Sequence, residues 1–381
     1  MSQSIALGSA DSPMGSAGNA ETAVGAESKS GSRPYGWILH PAIDMLLCCG
    51  GLVWAVFAVH YFLIAPTKNV ELTQMMVVFG IILTHCFSET HTVATLVRAY
   101  RTAETRRQYS KYTHWAALGF AALGMTALFV KGMTPYLAKI YLIWVVQHFT
   151  AQTYGMVLLY CFKNNYKLKD LEKRVIWLLM NATAAYAIVR QLTFHEWSAN
   201  GFLALEMPKI LQLPPWIFTG ATISLEISVL ALVIMVTRKL IVDRQLMPLP
   251  AMLMLATGVL IFTVGKEASG FLWLYVPALF HGSQYVVIAG AHYLKEHKQA
   301  EGLPAKDLFK LLQQSSGMRY MGFLLLGAVF LYVGLPRLLQ EFGFDYTLCF
   351  ATVFCVINLH HFLTDSAIWK LRDPKLRKAL V

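Results

Sequence analysis

The chain alternates between long apolar stretches and short polar segments in which Lys and Arg accumulate. Ten stretches of roughly 16–28 residues have approximate cores at 43–65, 72–97, 113–131, 135–162, 175–193, 216–237, 251–266, 271–294, 321–336 and 346–369. About 20 apolar residues in a helix cross ~30 Å of hydrocarbon, so each stretch predicts a membrane-spanning helix. The expected fold is all-α: a polytopic transmembrane bundle of about ten helices. Residues 1–34 are rich in Ser, Gly and Ala without apolar periodicity and predict a disordered tail. They lack the charged start and apolar run of a secretory signal. The organisation that follows is tail 1–34, helical domain 35–371 and basic tail 372–381. Segment 303–316 places Leu308, Leu311 and Leu312 on one helical face, which fits either a helix lying on the membrane interface or an ordinary connecting helix.

Composition agrees with this pattern, because 56% of residues are apolar and 14% charged, against about 25% charged in soluble domains. The net charge of +11 raises the question of nucleic acid, and the placement of the bases answers it. When the polar segments are assigned to alternate sides, 25 of the 32 Lys and Arg fall on the side of the N-terminal tail. The other side holds only Lys68, Lys131, Lys139, Arg190, Lys209, Lys266 and Arg337. By the positive-inside rule both termini are expected in the cytoplasm, with the bases facing anionic lipid head groups and no nucleic-acid partner. The expected location is integral and multi-pass, in a bacterial inner (cytoplasmic) membrane.

Ionisable side chains inside spans are costly and need a reason. Six of the twelve His fall in spans 2, 4, 8 and 10: His85, His91, His148, His281, His360 and His361. These four helices run in the same direction, and each carries His at a similar distance from its first cytoplasmic base, so the imidazoles share one level in the bilayer. Companions follow three or four residues later on the same face: Glu89 after His85, Gln152 after His148, Gln284 after His281, and Asp365 after His361. Imidazole with carboxylate suits iron, manganese, zinc or copper, and bundles build such sites from inward-facing side chains. The expected metal ligands are His85, His148, His281, His360 and His361, with Glu89 and Asp365 as further ligands or as the catalytic base. His91 is the weaker candidate, because six residues separate it from His85, about 240° round a regular helix. His360 and His361 are about 100° apart, so one coordinates while the other makes a supporting contact.

Other polar positions admit simpler readings. His40, Pro41 and Asp44 either cap the first span or reach the same pocket. Glu226, in the middle of span 6, is a pathway carboxylate or a buried partner for a base. His60, His114, His195, His292 and His297 lie near span ends or in loops, where solvated roles are expected. The six Cys read as reduced packing residues. Trp144, Tyr154, Trp273 and Tyr285 form interfacial belts or line an apolar pocket. Phosphate loops, a GxSxG elbow and CxxCH are all absent from the sequence, so nothing supports an ATPase, a nucleotide-dependent dehydrogenase, a serine hydrolase or a c-type cytochrome.

The segments THCFSETH, QHFTAQ, FHGSQY and NLHHFLTD resemble, at class level, the membrane histidine-cluster non-haem iron enzymes: desaturases, hydroxylases and the bacterial carotene dioxygenases. The chain departs from desaturases and hydroxylases in having no HxxxH or HxxHH box. The resemblance implies iron-dependent O₂ chemistry on an apolar, lipid or isoprenoid-like substrate that enters from the bilayer. Two further readings of the same residues stay open: a proton-coupled transporter or channel that uses the His/Asp/Glu layer as a relay, and a scaffold in which His is interhelical glue.

Overall fold

The computed structural model describes residues 35–194, 203, 205–263, 272–296 and 305–369. The expected tails 1–34 and 372–381, together with His195 and His297, lie outside the described residues. The helices belong to the second of two compact units, Tyr35–Val381. Among the described residues all regular structure is helical, without strands.

Helices α1 (Pro41–Cys48) and α2 (Gly51–Thr67) meet at a 60° bend, and α3 (Val70–Tyr100) follows. A short α4 (Ala103–Gln108) leads into α5, formed by Lys111–Ala116 and Ala117–Phe129. Next come α6 (Met133–Lys163), α7 (Asp170–Phe194), α8 (Pro215–Val242) and α9 (Leu249–Thr263). The last four are α10 (Leu272–Glu296), α11 (Ala305–Gln313), α12 (Ser315–Glu341) and α13 (Tyr346–Ile368). Helices occupy the described part of all ten apolar stretches. Five of them (α3, α7, α8, α12 and α13) are long and apolar enough to cross a membrane, or six if the bent α1–α2 pair is one span, which is consistent with a membrane protein. α6 and α10 are not among these five. They carry the polar runs QHFTAQTYG and HGSQY, of which His148, Thr150, Thr153, His281, Ser283 and Gln284 are buried in the bundle while Gln147 is exposed.

The bend between α1 and α2 has a local cause. Gly50 takes φ +91°, and a Cβ there would meet Thr257 of α9 at 2.6 Å, so both backbone and space require glycine. Thr257 then locks the corner, since its hydroxyl donates to Cys49 O at 3.2 Å and accepts from Trp54 Nε1 at 2.9 Å. Asp44 anchors the entry to α1. Fully buried, its carboxylate accepts from Ile38 N (2.6 Å), Leu39 N (3.1 Å), His40 N (3.3 Å) and Tyr160 Oη of α6 (2.7 Å). His40 Nδ1 caps α1 by accepting from Ala42 N, so these residues do the work of a cap.

Leu308 of α11 is buried, and Leu311 and Leu312 pack on the same core, with Leu312 against Gly290 of α10. The apolar face of this helix is spent inside the bundle, as in a connecting helix. His60 and His292 are buried, unlike the solvated roles expected for them; His292 Nδ1 lies 3.6 Å from Glu296 Oε2.

Asp44→Ala removes one acceptor from four donors in a buried site, at about 1–3 kcal/mol for each donor left unpaired. Its unfolding midpoint in mild detergent is expected to fall well below those of wild type and of the exposed control Glu71→Ala. Equal midpoints for the two variants would refute the anchoring role.

Candidate metal centre

Four imidazoles from four helices converge in the interior: His91 from α3, His148 from α6, His281 from α10 and His361 from α13. All are buried, and one ligand atom from each lies within 4.8 Å of the other three. His91 Nε2 is 3.0 Å from His361 Nε2 and 3.2 Å from His281 Nε2. The His148 ring centroid stands 4.8 Å from that of His281 and 5.0 Å from that of His361. His148 Nε2 is buried without a hydrogen-bond partner.

The backbone that delivers His91 is irregular. Within α3, residues His85–Glu89 form a wide, π-helical turn, after which Thr90–Tyr100 resumes as ordinary helix. Such a turn admits an extra residue and rotates everything beyond it relative to a regular helix. Thr90, His91, Thr92 and Thr95 are buried as a result. Gly282 of α10 seats the two helices together, because a Cβ there would come within 2.6 Å of Phe87 O and Ser88 Cα in the wide turn. This contact lies next to His281 in sequence, so the close approach also sets the reach of that imidazole.

Polar side chains orient the ring of His361. Thr95 Oγ1 donates to Asp365 Oδ1 at 2.8 Å and lies 2.9 Å from His361 Nδ1. A hydroxyl has one proton, so with that proton on Asp365 it is His361 Nδ1–H that donates to Thr95. The Nε2 of His361 then carries a lone pair and faces the other imidazoles, which is the tautomer a metal ligand needs. Tyr285 Oη also donates to Asp365 Oδ1 at 2.9 Å and accepts from Trp369 Nε1 at 2.7 Å. Asp365 Oδ2 is left 3.6 Å from His361 Nε2 and 3.9 Å from His148 Nε2. Tyr285 is thus part of the buried site and not of an interfacial belt. Aromatic rings close the remaining sides: Phe149 stacks on His281 and Phe362 on His148, each at 4.3 Å between centroids.

The structure brings His148, His281, His361 and Asp365 together, as the sequence leads one to expect. His85 and Glu89 bind each other within the wide turn, part-buried and outside the group of four. His360 points away and lies 3.0 Å from the Tyr112 carbonyl of α5, so of the adjacent pair it is His361 that joins the group. The separation of His85 from His91 holds, and it is His91 that stands among the four. The run THTVAT around His91, small polar residues on every side of one helical stretch, is the signal in the sequence that marks its burial. The companionship expected of Gln152 and Gln284 takes a different form. Gln152 Nε2 donates to His281 O (2.9 Å) and Gln284 Oε1 (3.1 Å), and Gln284 Nε2 donates to Cys48 O (3.0 Å). The two amides stitch α6 to α10 and α10 to α1 instead of orienting imidazoles on their own helices.

The donor set fits a transition-metal ion. Metal–nitrogen bonds of about 2.0–2.1 Å place neighbouring ligand nitrogens roughly 2.9–3.4 Å apart, which is the spacing of the closest pairs here. One Nε2 proton cannot satisfy both contacts of His91 at once, while a cation between the rings satisfies every lone pair. No family model, curated protein or solved structure matches the chain.

Gly282→Ala forces a methyl group into backbone, and overpacking of this kind costs about 1–3 kcal/mol. Its unfolding midpoint is expected to drop, whereas Gly322→Ala on α12, where an added Cβ meets nothing within 4 Å, leaves it near wild type. Equal behaviour of the two variants would contradict the seating contact.

Proposed function

We propose that the chain is an integral membrane metalloenzyme whose centre is held by His91, His148, His281 and His361. The observation that carries this reading is the convergence of four buried imidazoles, one with an Nε2 that has no hydrogen-bond partner. Iron is the metal proposed, from the imidazole-rich donor set and the class-level resemblance. When bound, it supplies redox and Lewis-acid chemistry toward O₂ and substrate. The protein's part is to hold and orient. Thr95 and Asp365 keep the His361 tautomer, and Asp365 Oδ2 is placed to accept a proton beside the imidazoles. Phe149 and Phe362 exclude water and offer an aromatic wall to an apolar, lipid or isoprenoid-like substrate arriving from the bilayer. Glu89, bonded to His85, supports the wide turn from which His91 departs. We place the protein in a bacterial inner membrane with both termini cytoplasmic and its basic segments against lipid head groups.

Elemental analysis of protein purified in mild detergent tests this directly. About one iron per chain is expected in wild type, in His85→Ala and in His360→Ala. It is expected to be lost in His91→Ala and in the double variant His148→Ala/His281→Ala. Metal-free wild-type protein that keeps its cellular activity would overturn the proposal, as would variants at position 91 that hold metal fully. Proton-coupled flux in proteoliposomes that ignores chelators would favour the relay reading of the same layer.

A further inference from the structure

Glu226 of α8 is exposed, so it is neither an interior pathway carboxylate nor the buried partner of a base. The charge that the fold draws inward is Arg98, the first base after the apolar run of α3. It lies seven residues beyond His91 in regular helix, about 10 Å along the axis. Its guanidinium is held on two sides. Nη2 donates to Ile368 O at 2.9 Å, and Cζ stands 3.9 Å from the centroid of the Trp369 ring. Nη1 is buried with no hydrogen-bond partner. An arginine side chain keeps its charge and carries five N–H donors, so a buried nitrogen left unpaired is costly.

Arg98 lines a cavity of about 170 Å³ together with Arg101, His292, Tyr293, Glu296 and Trp369. One water takes up ~30 Å³ of the liquid, so this space holds several waters or one polyatomic anion. Arg101 follows Arg98 by three residues, on the same face of α3, and its Cζ stands 5.3 Å from the centroid of the Tyr293 ring. A guanidinium laid over a ring keeps its N–H edge for a ligand, and that edge matches the oxygens of carboxylate and phosphate. Among the described residues of the lining Glu296 is the one carboxylate, and its Oε2 lies 3.6 Å from His292 Nδ1. Two permanent positive charges therefore share a wall with a single negative one.

We propose that this cavity binds the phosphate group of an anionic ligand, with Arg98 as its main donor and Arg101 as the second. Two guanidiniums offer more N–H groups than the two oxygens of a carboxylate take up, whereas a phosphate presents three or four oxygens. Bases at the end of a membrane-length apolar run meet lipid head groups, so the phosphate belongs either to an anionic lipid or to a soluble ligand.

The full chain in mild detergent is titrated with inorganic phosphate by calorimetry, and its retention of phosphatidic acid against phosphatidylcholine is read by native mass spectrometry. About one phosphate-bearing probe per chain is expected for wild type and for the exposed control Arg107→Gln. Binding is expected to fall roughly tenfold in Arg98→Gln and in Arg101→Gln, since each loses a charge-assisted hydrogen bond. Arg98→Lys, which keeps the charge without the fork, is expected to bind more weakly than wild type. Arg101→Gln leaves the contacts of Arg98 with Ile368 and Trp369 in place, so it carries the test if Arg98→Gln does not fold. Saturation by inorganic phosphate identifies a soluble ligand, and retention of phosphatidic acid alone identifies a lipid head group; either supports the site. Failure of both probes, equal retention of the two lipids, or wild-type affinity in folded Arg98→Gln or in Arg101→Gln would each overturn the proposal. Metal content is not a readout here, so the result stands apart from the reading of the His centre.

Discussion

The Nε2 of His91 stands within hydrogen-bond distance of two other imidazole nitrogens, and one proton cannot serve both contacts. His91 Nε2 faces His361 Nε2 and His281 Nε2 together, while the hydroxyl of Thr95 holds His361 in the tautomer whose lone pair points at the others. In a dry interior an unsatisfied polar contact costs more than it does in water, so this arrangement is one that could hold a cation at its centre. Much of the surrounding architecture serves that convergence. The Gln152–Gln284 pair, the Tyr285–Asp365–Thr95 network and the two stacked phenylalanines each fix a helix or a ring that the four imidazoles need in place.

The wide turn at His85–Glu89 is the backbone device on which this depends. A regular helix from Val70 to Tyr100 presents a different set of side chains to the interior. The extra residue in the turn, seated against Gly282, is what sends the face of His91, Thr95 and Arg98 inward. The same turn leaves His85 and Glu89 to each other. An ion pair in the sequence that looks like half of a metal site is, in the fold, a brace for the segment that supplies a different histidine.

Much of the fold is legible in the chain, because its signals are local. Apolar run length marks ten stretches that helices occupy, though not the short polar α4 between two of them, and the level of His148, His281 and His361 follows from counting along single helices. The choice of Asp365 was readable as well, since i,i+4 neighbours on a helix share a face whatever packs against it. Two kinds of information were not local. The orientation of Gln152 and Gln284 depends on carbonyls of other helices, and the exposure of Glu226 depends on where α8 sits relative to α7. Neither appears in the periodicity of the helix concerned.

By itself the sequence determined that this is a helical chain with membrane-length apolar segments and a layer of histidines, since hydropathy and helical rise are properties of contiguous residues. Which histidines meet was decided only by the tertiary structure. The rotation of each helix about its axis, and a single wide turn in α3, select His91 over His85 and His361 over His360, and both are set by contacts between residues far apart in the chain.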